Sequence, residues 1–306
     1  MAASGFVPQN TLKNSIRCRG TALHSGERVA MVFHPAAPDS GIVFRRSDRG
    51  GATLRADWRH VRDSALCTTV DDGNGLSVAT IEHVMAALAG LEIDNALVEL
   101  DGPEVPVMDG SAAPFIFLLE CAGIAAQDAP RRAIEILKPV KVGDGTKSAA
   151  LLPGDGFNIE LTIDFAATAI QRQTLHWTFD PESFKTDIAS ARTFGFLEEV
   201  DALRAAGLVR GGSMDNAIVI GEGRVLNRDG LRFPDEFVRH KILDAVGDLY
   251  LAGNPIIGAF AGLRSGHALN RRLLEALFAD RSAYRVVRMP AAYDLMWQDQ
   301  PRRASA

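Results

Sequence analysis

The sequence predicts an α+β protein made of two related halves. Each half combines short segments that alternate polar and apolar residues with longer segments that carry apolar residues at helical spacing. A helix-like segment at 83–90 followed by the strand-like NALVEL resembles the segment 240–253 followed by IIGAF, which indicates a distant internal repeat. Residues 122–133 lack periodicity, and we therefore expect domains at 1–126 and 127–306.

Length and composition are those of a soluble globular protein. The chain has 306 residues, of which 47% are hydrophobic and 23% are charged. The net charge of −5 and the scattered basic residues give no electrostatic footprint for nucleic acid, and no apolar run is long enough to span a bilayer. The N-terminus lacks the features of a signal peptide, and the three cysteines are dispersed. We expect a cytoplasmic monomer without nucleic-acid partners or a transmembrane segment.

Three common catalytic or nucleotide-binding motifs are missing. The sequence contains no G-x-x-x-x-G-K-[ST] loop and no G-x-G-x-x-G after a strand. It also contains no G-x-S-x-G nucleophile elbow. The chemistry must therefore come from another arrangement of side chains.

The first half opens with strand patterns. Residues 11–34 alternate around a glycine-rich turn, which predicts a hairpin with His24 in its turn. A turn histidine is usually a surface residue, but one flanked by glycine could approach a ligand closely, so His24 is a candidate substrate contact. Residues 41–70 predict further short strands that end at ALCTTV, where Cys67 is expected in the core or in a channel.

The segment LSVATIEHVMAALAGL predicts a first helix that carries site residues. Thr80 is a plausible N-cap and Gly90 can end the helix. Glu82 and His83 then fall in the first turn. The positive end of the helix dipole disfavours a protonated imidazole there, which favours a neutral histidine that can coordinate metal.

The segment FPDEFVRHKILDAVGDLYLAG predicts a second site helix, which starts around Pro234 and stops at Gly253. His240, Asp244 and Asp248 follow one another in steps of four residues, so they lie along one face. A histidine and a carboxylate at this spacing can bind one metal ion. Alternatively, they form a solvated polar face stabilised by a histidine–aspartate pair.

The second half also begins with strand patterns, AIEILKPVKVG, SAALLPG and FNIELTIDF. Residues 183–220 depart from regular patterning and contain apolar side chains that could line a pocket or belong to the core. These apolar residues are Phe194, Phe196, Leu203 and Leu208. Further on, GLRSGHALNRRLLEALF places His267 in a loop that leads into a helix.

These residues form a possible metal site. A catalytic zinc takes three protein ligands from histidine, aspartate or glutamate and keeps a fourth position for water. His83, His240 and Asp244 would supply the three ligands, and Glu82 next to a ligand could act as general base. His267 is then left to work as the acid, its ring held by Asp248.

Several long segments resemble one family. TIEHVMAALAGLEIDNALVELDGPEVPVMDGSA, ARTFGF, GGSMDNAIV, LRFPDEFVRHKILDAVGDLYLAG and SGHALN are similar to the UDP-3-O-acyl-N-acetylglucosamine deacetylases of lipid A biosynthesis. The resemblance runs from about residue 11 to about residue 280. It implies two α+β domains, each a sheet packed on helices, with the helices sandwiched between the two sheets and the site between the domains.

The resemblance also implies roles for individual residues. It implies zinc on the three ligands named above, and iron stays open as the alternative metal in the cell. Thr193 matches the residue that helps to stabilise the oxyanion, and Lys241 and Phe165 match positions near the nucleotide part of the substrate, with Lys241 counted among the catalytic residues. Phe194 and the segment around Gly211 match the passage for the acyl chain, within the insertion near 183–220.

One position departs from the family pattern. Arg264 stands before SGH where the family often has lysine, and a planar guanidinium can still meet a phosphate of the substrate. The implied reaction is hydrolysis of the acetamide of UDP-3-O-(3-hydroxyacyl)-N-acetylglucosamine, the committed step of lipid A biosynthesis. Two alternatives are a non-catalytic protein that binds an acyl chain or sugar nucleotide, and a metal-dependent phosphoesterase.

Overall fold

A computed structural model describes residues 6–62 and 66–289 of the chain. In chain order, the first half contains β1 (Pro8–Leu12), β2 (Ile16–Thr21), β3 (Arg28–Pro35), β4 (Ile42–Arg46), β5 (Ala52–Arg55), β6 (Val61–Arg62), β7 (Thr69–Asp71), β8 (Ser77–Val78), α1 (Glu82–Gly90), β9 (Ala96–Leu100) and α2 (Ala113–Ala122). Short 3₁₀ turns lie at Ser47–Arg49 and Trp58–His60.

The second half continues with the elements β10 (Ile124–Pro130), β11 (Arg132–Ile136), β12 (Val140–Gly143), β13 (Ser148–Leu152), β14 (Phe157–Asp164), β15 (Arg172–Thr178), α3 (Pro181–Ser183), β16 (Phe194–Phe196), α4 (Leu197–Ala205), β17 (Ile218–Gly221), β18 (Arg224–Val225), α5 (Glu236–Tyr250), β19 (Ile256–Leu263), α6 (His267–Ala279) and β20 (Tyr284–Arg288). A π-helical turn at Phe184–Ile188 follows α3 directly. None of the helices described is long and apolar enough to cross a membrane.

The two main sheets repeat one topology. The first has the strand order β2-β3-β9-β4-β5, with β9 antiparallel to β3 and parallel to β4. The second contains β12-β13-β19-β14-β15 in the same order, with β19 antiparallel to β13 and parallel to β14, and β11 and β20 extend it. In each half a helix, α1 or α5, leads into the central strand. The prediction of an α+β protein with two related halves is confirmed.

The helices that carry site residues lie in the core between the sheets. Every residue of α1 is buried, as are nearly all residues of α5, and both helices belong to one apolar cluster with the inner faces of both sheets. A helix that is covered all round must be enclosed by other elements. The polar face of α5 is therefore part of the interior, and the alternative of a solvated face is wrong.

Gly247 of α5 allows the two helices to approach closely. A Cβ atom there would lie 2.9 Å from the carbonyl carbon of Glu82 and 3.1 Å from the backbone nitrogen of Ala86, both on α1, and would overlap the carbonyl oxygen of Glu82. Only glycine fits such a contact between backbones. This contact sets the first turn of α1 against the middle of α5.

Some local expectations need correction. Thr80 is not the N-cap of α1: its φ is +59°, its hydroxyl donates to Glu104 at 3.1 Å, and the N-cap position belongs to Ile81. Helix α5 begins at Glu236, two residues later than the position of Pro234 suggested. The aperiodic residues 122–133 include strand β10, which pairs with β1 in a half-exposed two-stranded ribbon and so shows no alternation. The boundary between residues 126 and 127 stays a prediction.

Candidate metal centre and active site

Three predicted ligands meet between α1 and α5. The Nε2 atom of His83 lies 3.6 Å from Oδ1 of Asp244, and the Nε2 atom of His240 lies 3.4 Å from the same oxygen. The ligand atoms of the three residues all lie within 4.8 Å of one another, and each residue is at most 3% exposed. Among the described residues, this is the only group of three or more such side chains close enough to hold one ion.

The donor set fits a metal ion. Oδ1 of Asp244 is buried and has no hydrogen-bond partner within the described ranges, which is costly for a carboxylate oxygen unless a cation satisfies it. Tetrahedral ligand atoms bound to one zinc ion lie about 3.3 Å apart, close to the two distances measured here. The Nδ1–H of His240 donates to the carbonyl of Ala191 at 3.0 Å, which leaves Nε2 as the free donor atom for a metal.

The charges of the cluster also suit coordination. Burial lowers the pKa of His240 to about 4, so its ring is neutral at physiological pH. Burial opposes ionisation of Asp244, but the positive charges of His240, whose ring is protonated in acid, and of Lys241 outweigh it and hold the pKa of Asp244 well below its ordinary value. The Nζ atom of Lys241 donates to the second oxygen of Asp244 at 2.6 Å. Lys241 therefore contacts the predicted ligand directly.

Glu82 on α1 and His267 on α6 both lie close to this cluster. Burial raises the pKa of Glu82, and the charge of His267 opposes that rise only in part. The Nε2 atom of His267 lies 3.9 Å from Asp244, and its Nδ1–H donates to Oδ2 of Asp248 at 2.9 Å. Burial lowers the pKa of His267, but Asp248 and two further carboxylates outweigh burial and raise it to about 10, so the ring is a cation at neutral pH. The structure therefore brings together the predicted general base and the predicted acid.

Two residues of this network were missed from the sequence. Thr68 donates its backbone N–H to Oε2 of Glu82 at 2.9 Å and its hydroxyl to Oδ1 of Asp248 at 2.5 Å. Asn270 donates its Nδ2 to Oδ2 of Asp248 at 2.8 Å. Asn270 follows His267 by three residues on one helix, a spacing that indicates a shared face. Thr68 follows Cys67 in a stretch without any motif, so no local signal marks it.

Aromatic side chains form one wall beside His240. The ring of Phe194 lies 6.2 Å from the His240 ring, 5.1 Å from Phe237 and 5.6 Å from Phe165. Thr193 directly precedes Phe194, and its backbone N–H donates to Gly110 at 2.8 Å. Phe194 thus stands next to the candidate metal centre, with Phe165 packed against its ring and Thr193 one residue before it.

Gly211 and His24 come together at a second contact between the halves. The backbone N–H of Gly211 donates to Leu23 at 3.0 Å, and that of Arg210 donates to His24 at 3.1 Å. His24 is only 8% exposed, so it is a buried residue and not the surface residue that a turn usually offers. Both of its ring nitrogens are buried without a hydrogen-bond partner in the described part of the chain.

Arg264 lies at the surface. Its guanidinium donates to Asp164 at 2.5 Å, and 42% of its side chain is exposed. Its φ of +48° is a left-handed conformation that a non-glycine residue rarely adopts. The position two residues before Gly266 nevertheless keeps it near the start of α6.

The fold and the site together define a class, namely an α+β protein of two repeated sheets that encloses a cluster of two histidines and one aspartate suited to a metal ion. Within that class, the chain belongs to the UDP-3-O-acyl N-acetylglycosamine deacetylase family, which matches residues 9–279.

Relatives of this chain carry the name UDP-3-O-acyl-N-acetylglucosamine deacetylase. The protein of Acidithiobacillus ferrooxidans is 52% identical over 92% of this chain and 93% of its own length. The protein of Neisseria gonorrhoeae is 50% identical over 94% of this chain and 95% of its own length. The protein of Photobacterium profundum is 48% identical over 91% of this chain and 93% of its own length.

Proposed function

We propose that this protein is a metal-dependent amidase that removes the N-acetyl group from UDP-3-O-(3-hydroxyacyl)-N-acetylglucosamine in lipid A biosynthesis, giving the free amine and acetate. The observation that carries this proposal is the buried Oδ1 of Asp244, which has no hydrogen-bond partner among the described residues and lies close to two histidine rings, with Glu82 and His267 nearby. The names of relatives about half identical over more than nine tenths of the chain supply the substrate.

Zinc is the metal that we propose for the His83–His240–Asp244 cluster, with iron as the alternative in the cell. Two imidazole nitrogens and one carboxylate oxygen leave a fourth position open, which is the ligand set of catalytic zinc sites. A bound zinc ion would polarise the acetamide carbonyl and increase the acidity of the attacking water.

Glu82 and His267 move the protons in this proposal. Glu82 accepts a proton from the water as the water oxygen forms its bond to the carbonyl carbon, which is the work of a buried carboxylate with a raised pKa. The His267 cation balances the negative charge on the tetrahedral oxygen, and Thr193 assists it. When the C–N bond breaks, the amine takes a proton from this pair and acetate leaves.

We further propose how the substrate lies. The aromatic wall of Phe165 and Phe194 and the loop at Gly211 border the sugar and the acyl chain, and the insertion near 183–220 forms the acyl passage. Lys241, Arg264 and the buried ring of His24 provide polar contacts to the nucleotide part or the sugar. These contacts would lie between domains at 1–126 and 127–306 of a cytoplasmic monomer.

Acetate release tests the proposal. Purified protein is incubated with the acylated UDP-sugar, with and without a chelator, and both acetate and inorganic phosphate are measured. We expect acetate to appear, to stop with the chelator and to return with added zinc. Phosphate release in place of acetate would indicate a phosphoesterase, and tight binding of the substrate without turnover would indicate a binding protein. UDP-N-acetylglucosamine without its acyl group, as a second substrate, measures the contribution of the acyl passage.

A further inference from the structure

Thr68 hydrogen-bonds to the predicted general base, Glu82, and also to the His267–Asp248 pair. It lies directly before β7, is 2% exposed, and hydrogen-bonds through its backbone as well as its side chain. Its N–H donates to Oε2 of Glu82 at 2.9 Å, and its carbonyl accepts from the N–H of Ile81 at 3.2 Å. Its hydroxyl donates to Oδ1 of Asp248 at 2.5 Å and lies 3.1 Å from Nδ1 of His267.

We infer that Thr68 is a positioning residue for the proposed deacetylation, holding the general base and the His267–Asp248 pair in one fixed arrangement. This inference rests on the proposed function for its catalytic meaning, but the arrangement itself can be tested without turnover. The Thr68 hydroxyl contacts Asp248 and His267. We do not place Thr68 in contact with the metal or the substrate, so its role is to position other residues and not to take part in the reaction.

The hydroxyl fixes the direction of the His267 ring by accepting from its Nδ1–H. A threonine hydroxyl has one proton to donate, and here it is donated to Asp248, so the oxygen can only accept from the Nδ1–H of His267. The same Nδ1–H also points to Oδ2 of Asp248 at 2.9 Å. With Nδ1 held by two acceptors, Nε2 is turned towards Asp244 at 3.9 Å, the direction in which the reacting groups lie.

The backbone of Thr68 holds the predicted general base, Glu82. Its N–H restrains one oxygen of Glu82, and its carbonyl pairs with Ile81, the residue directly before Glu82. One residue therefore connects the start of α1 with α5 and α6. Orientation of catalytic groups contributes strongly to rate, so loosening this connection should lower turnover even when every catalytic side chain remains.

The simpler reading is that Thr68 is a core residue whose hydroxyl needs a partner. That reading predicts a loss of stability on removing the hydroxyl, and no specific effect on turnover or on the state of the His267 ring. Thr68→Val removes the hydroxyl and keeps the shape, whereas Thr68→Ser keeps the hydroxyl. Thr69→Val is the matched control. It removes the hydroxyl of the neighbouring threonine, which lies 3.6 Å from the sulfur of Cys67 and outside the network of Glu82, Asp248 and His267.

The kinetic test uses these three variants as zinc-loaded full-length proteins. Positioning predicts that Thr68→Val lowers kcat by about 10- to 100-fold, the usual loss when a supporting hydrogen bond to a site is removed, while KM and bound zinc stay within about twofold. Thr68→Ser should recover most of the loss, and Thr69→Val should match the wild type. If Thr68→Val does not fold, Thr68→Ala removes the same hydroxyl without placing a methyl group against Asp248.

The spectroscopic test needs no substrate. In protein labelled with ¹⁵N-histidine, the Nδ1–H proton of His267 should give a downfield resonance, assigned by its loss in His267→Gln. We expect Thr68→Val to shift or abolish this resonance, and Thr68→Ser to preserve it. An unchanged resonance together with an unchanged kcat in Thr68→Val would overturn the inference, as would a loss of kcat that Thr68→Ser does not recover. A wild type that releases no acetate would refute the proposed function instead, and the resonance would still decide whether Thr68 holds the ring.

Discussion

Replacing Gly247 by alanine tests how the fold sets the two site helices. The new Cβ would lie 2.9 Å from the carbonyl carbon of Glu82, whereas carbon atoms in contact are separated by about 3.5 Å. Helix α5 must therefore move away from α1 by about 0.6 Å or more. Two backbones meet here, so no side-chain rotation can relieve the overlap.

The sign of the stability change distinguishes this overlap from helix propensity. Propensity alone predicts that alanine in a helix interior is about 1 kcal/mol more stable than glycine. Overpacking costs about 1–3 kcal/mol, and a contact between backbones belongs at the upper end. After the gain from propensity is subtracted, we expect Gly247→Ala to lower the free energy of unfolding by about 2 kcal/mol. A shift of this size at the catalytic groups should also lower kcat/KM by about 10- to 100-fold.

Denaturant unfolding and acetate release measure the two effects. Gly90→Ala is the control, because its Cβ would overlap the buried ring of Phe184 at the opposite end of α1 from Glu82, so it strains the core away from the catalytic groups. We expect the control to lose some stability and to retain activity. A Gly247→Ala protein that is more stable than the wild type and fully active would refute the close approach of α1 and α5.

Three further predictions concern individual charges. Glu82→Gln should retain zinc, as measured by metal analysis, and lose about 10²–10⁴-fold in kcat, because it removes the base and not a ligand; loss of zinc with it would contradict the assignment. Carboxylates outweigh burial and raise the pKa of His267 to about 10, so the ring is charged below that pH, and kcat/KM should fall as the pH rises through it. His267→Gln should remove that basic limb, and an unchanged pH profile would exclude His267 from the mechanism. Burial raises the pKa of Glu236, but hydrogen bonds from Arg192 outweigh it and keep the pKa below its ordinary value, so its contribution to stability is present above about pH 4.3 and is lost as the pH falls through the lower folded value. Unfolding at several pH values should show Glu236→Gln about 2 kcal/mol less stable at pH 7, with the difference shrinking in acid; a constant difference would show that the charge is not responsible.

The spacing of residues along one helix was enough to predict part of the site. Steps of four residues place His240, Asp244 and Asp248 on one face wherever the helix lies, and the structure confirms that shared face. The same pattern does not reveal what covers the face. These groups are buried because α1 covers them, and α1 can approach because residue 247 is glycine. The contact joins Gly247 to Glu82, two residues far apart in the sequence, so no local pattern reveals it.

Other features depend on tertiary contacts that no local pattern records. Thr80 has the chemistry of an N-cap, but its hydroxyl bonds instead to Glu104. Thr68 reaches Asp248 across 180 positions of the chain, so only the fold reveals its place in the network. Strand β10 hides its alternation because its ribbon is partly exposed on both faces.

Bound zinc and acetate release, measured together, test the central claim most directly. Wild type, His240→Ala and His176→Gln are purified, stripped with a chelator, and titrated with zinc while acetate release from the acylated UDP-sugar is followed. His176 is the control because 72% of its side chain is exposed on β15, where it faces Glu160 and not a residue of the ligand cluster. We predict that activity in the wild type and in His176→Gln rises to a plateau at one zinc ion per chain, and that His240→Ala neither binds zinc tightly nor releases acetate. Full zinc occupancy in His240→Ala, or acetate release from the stripped wild type, would contradict the account.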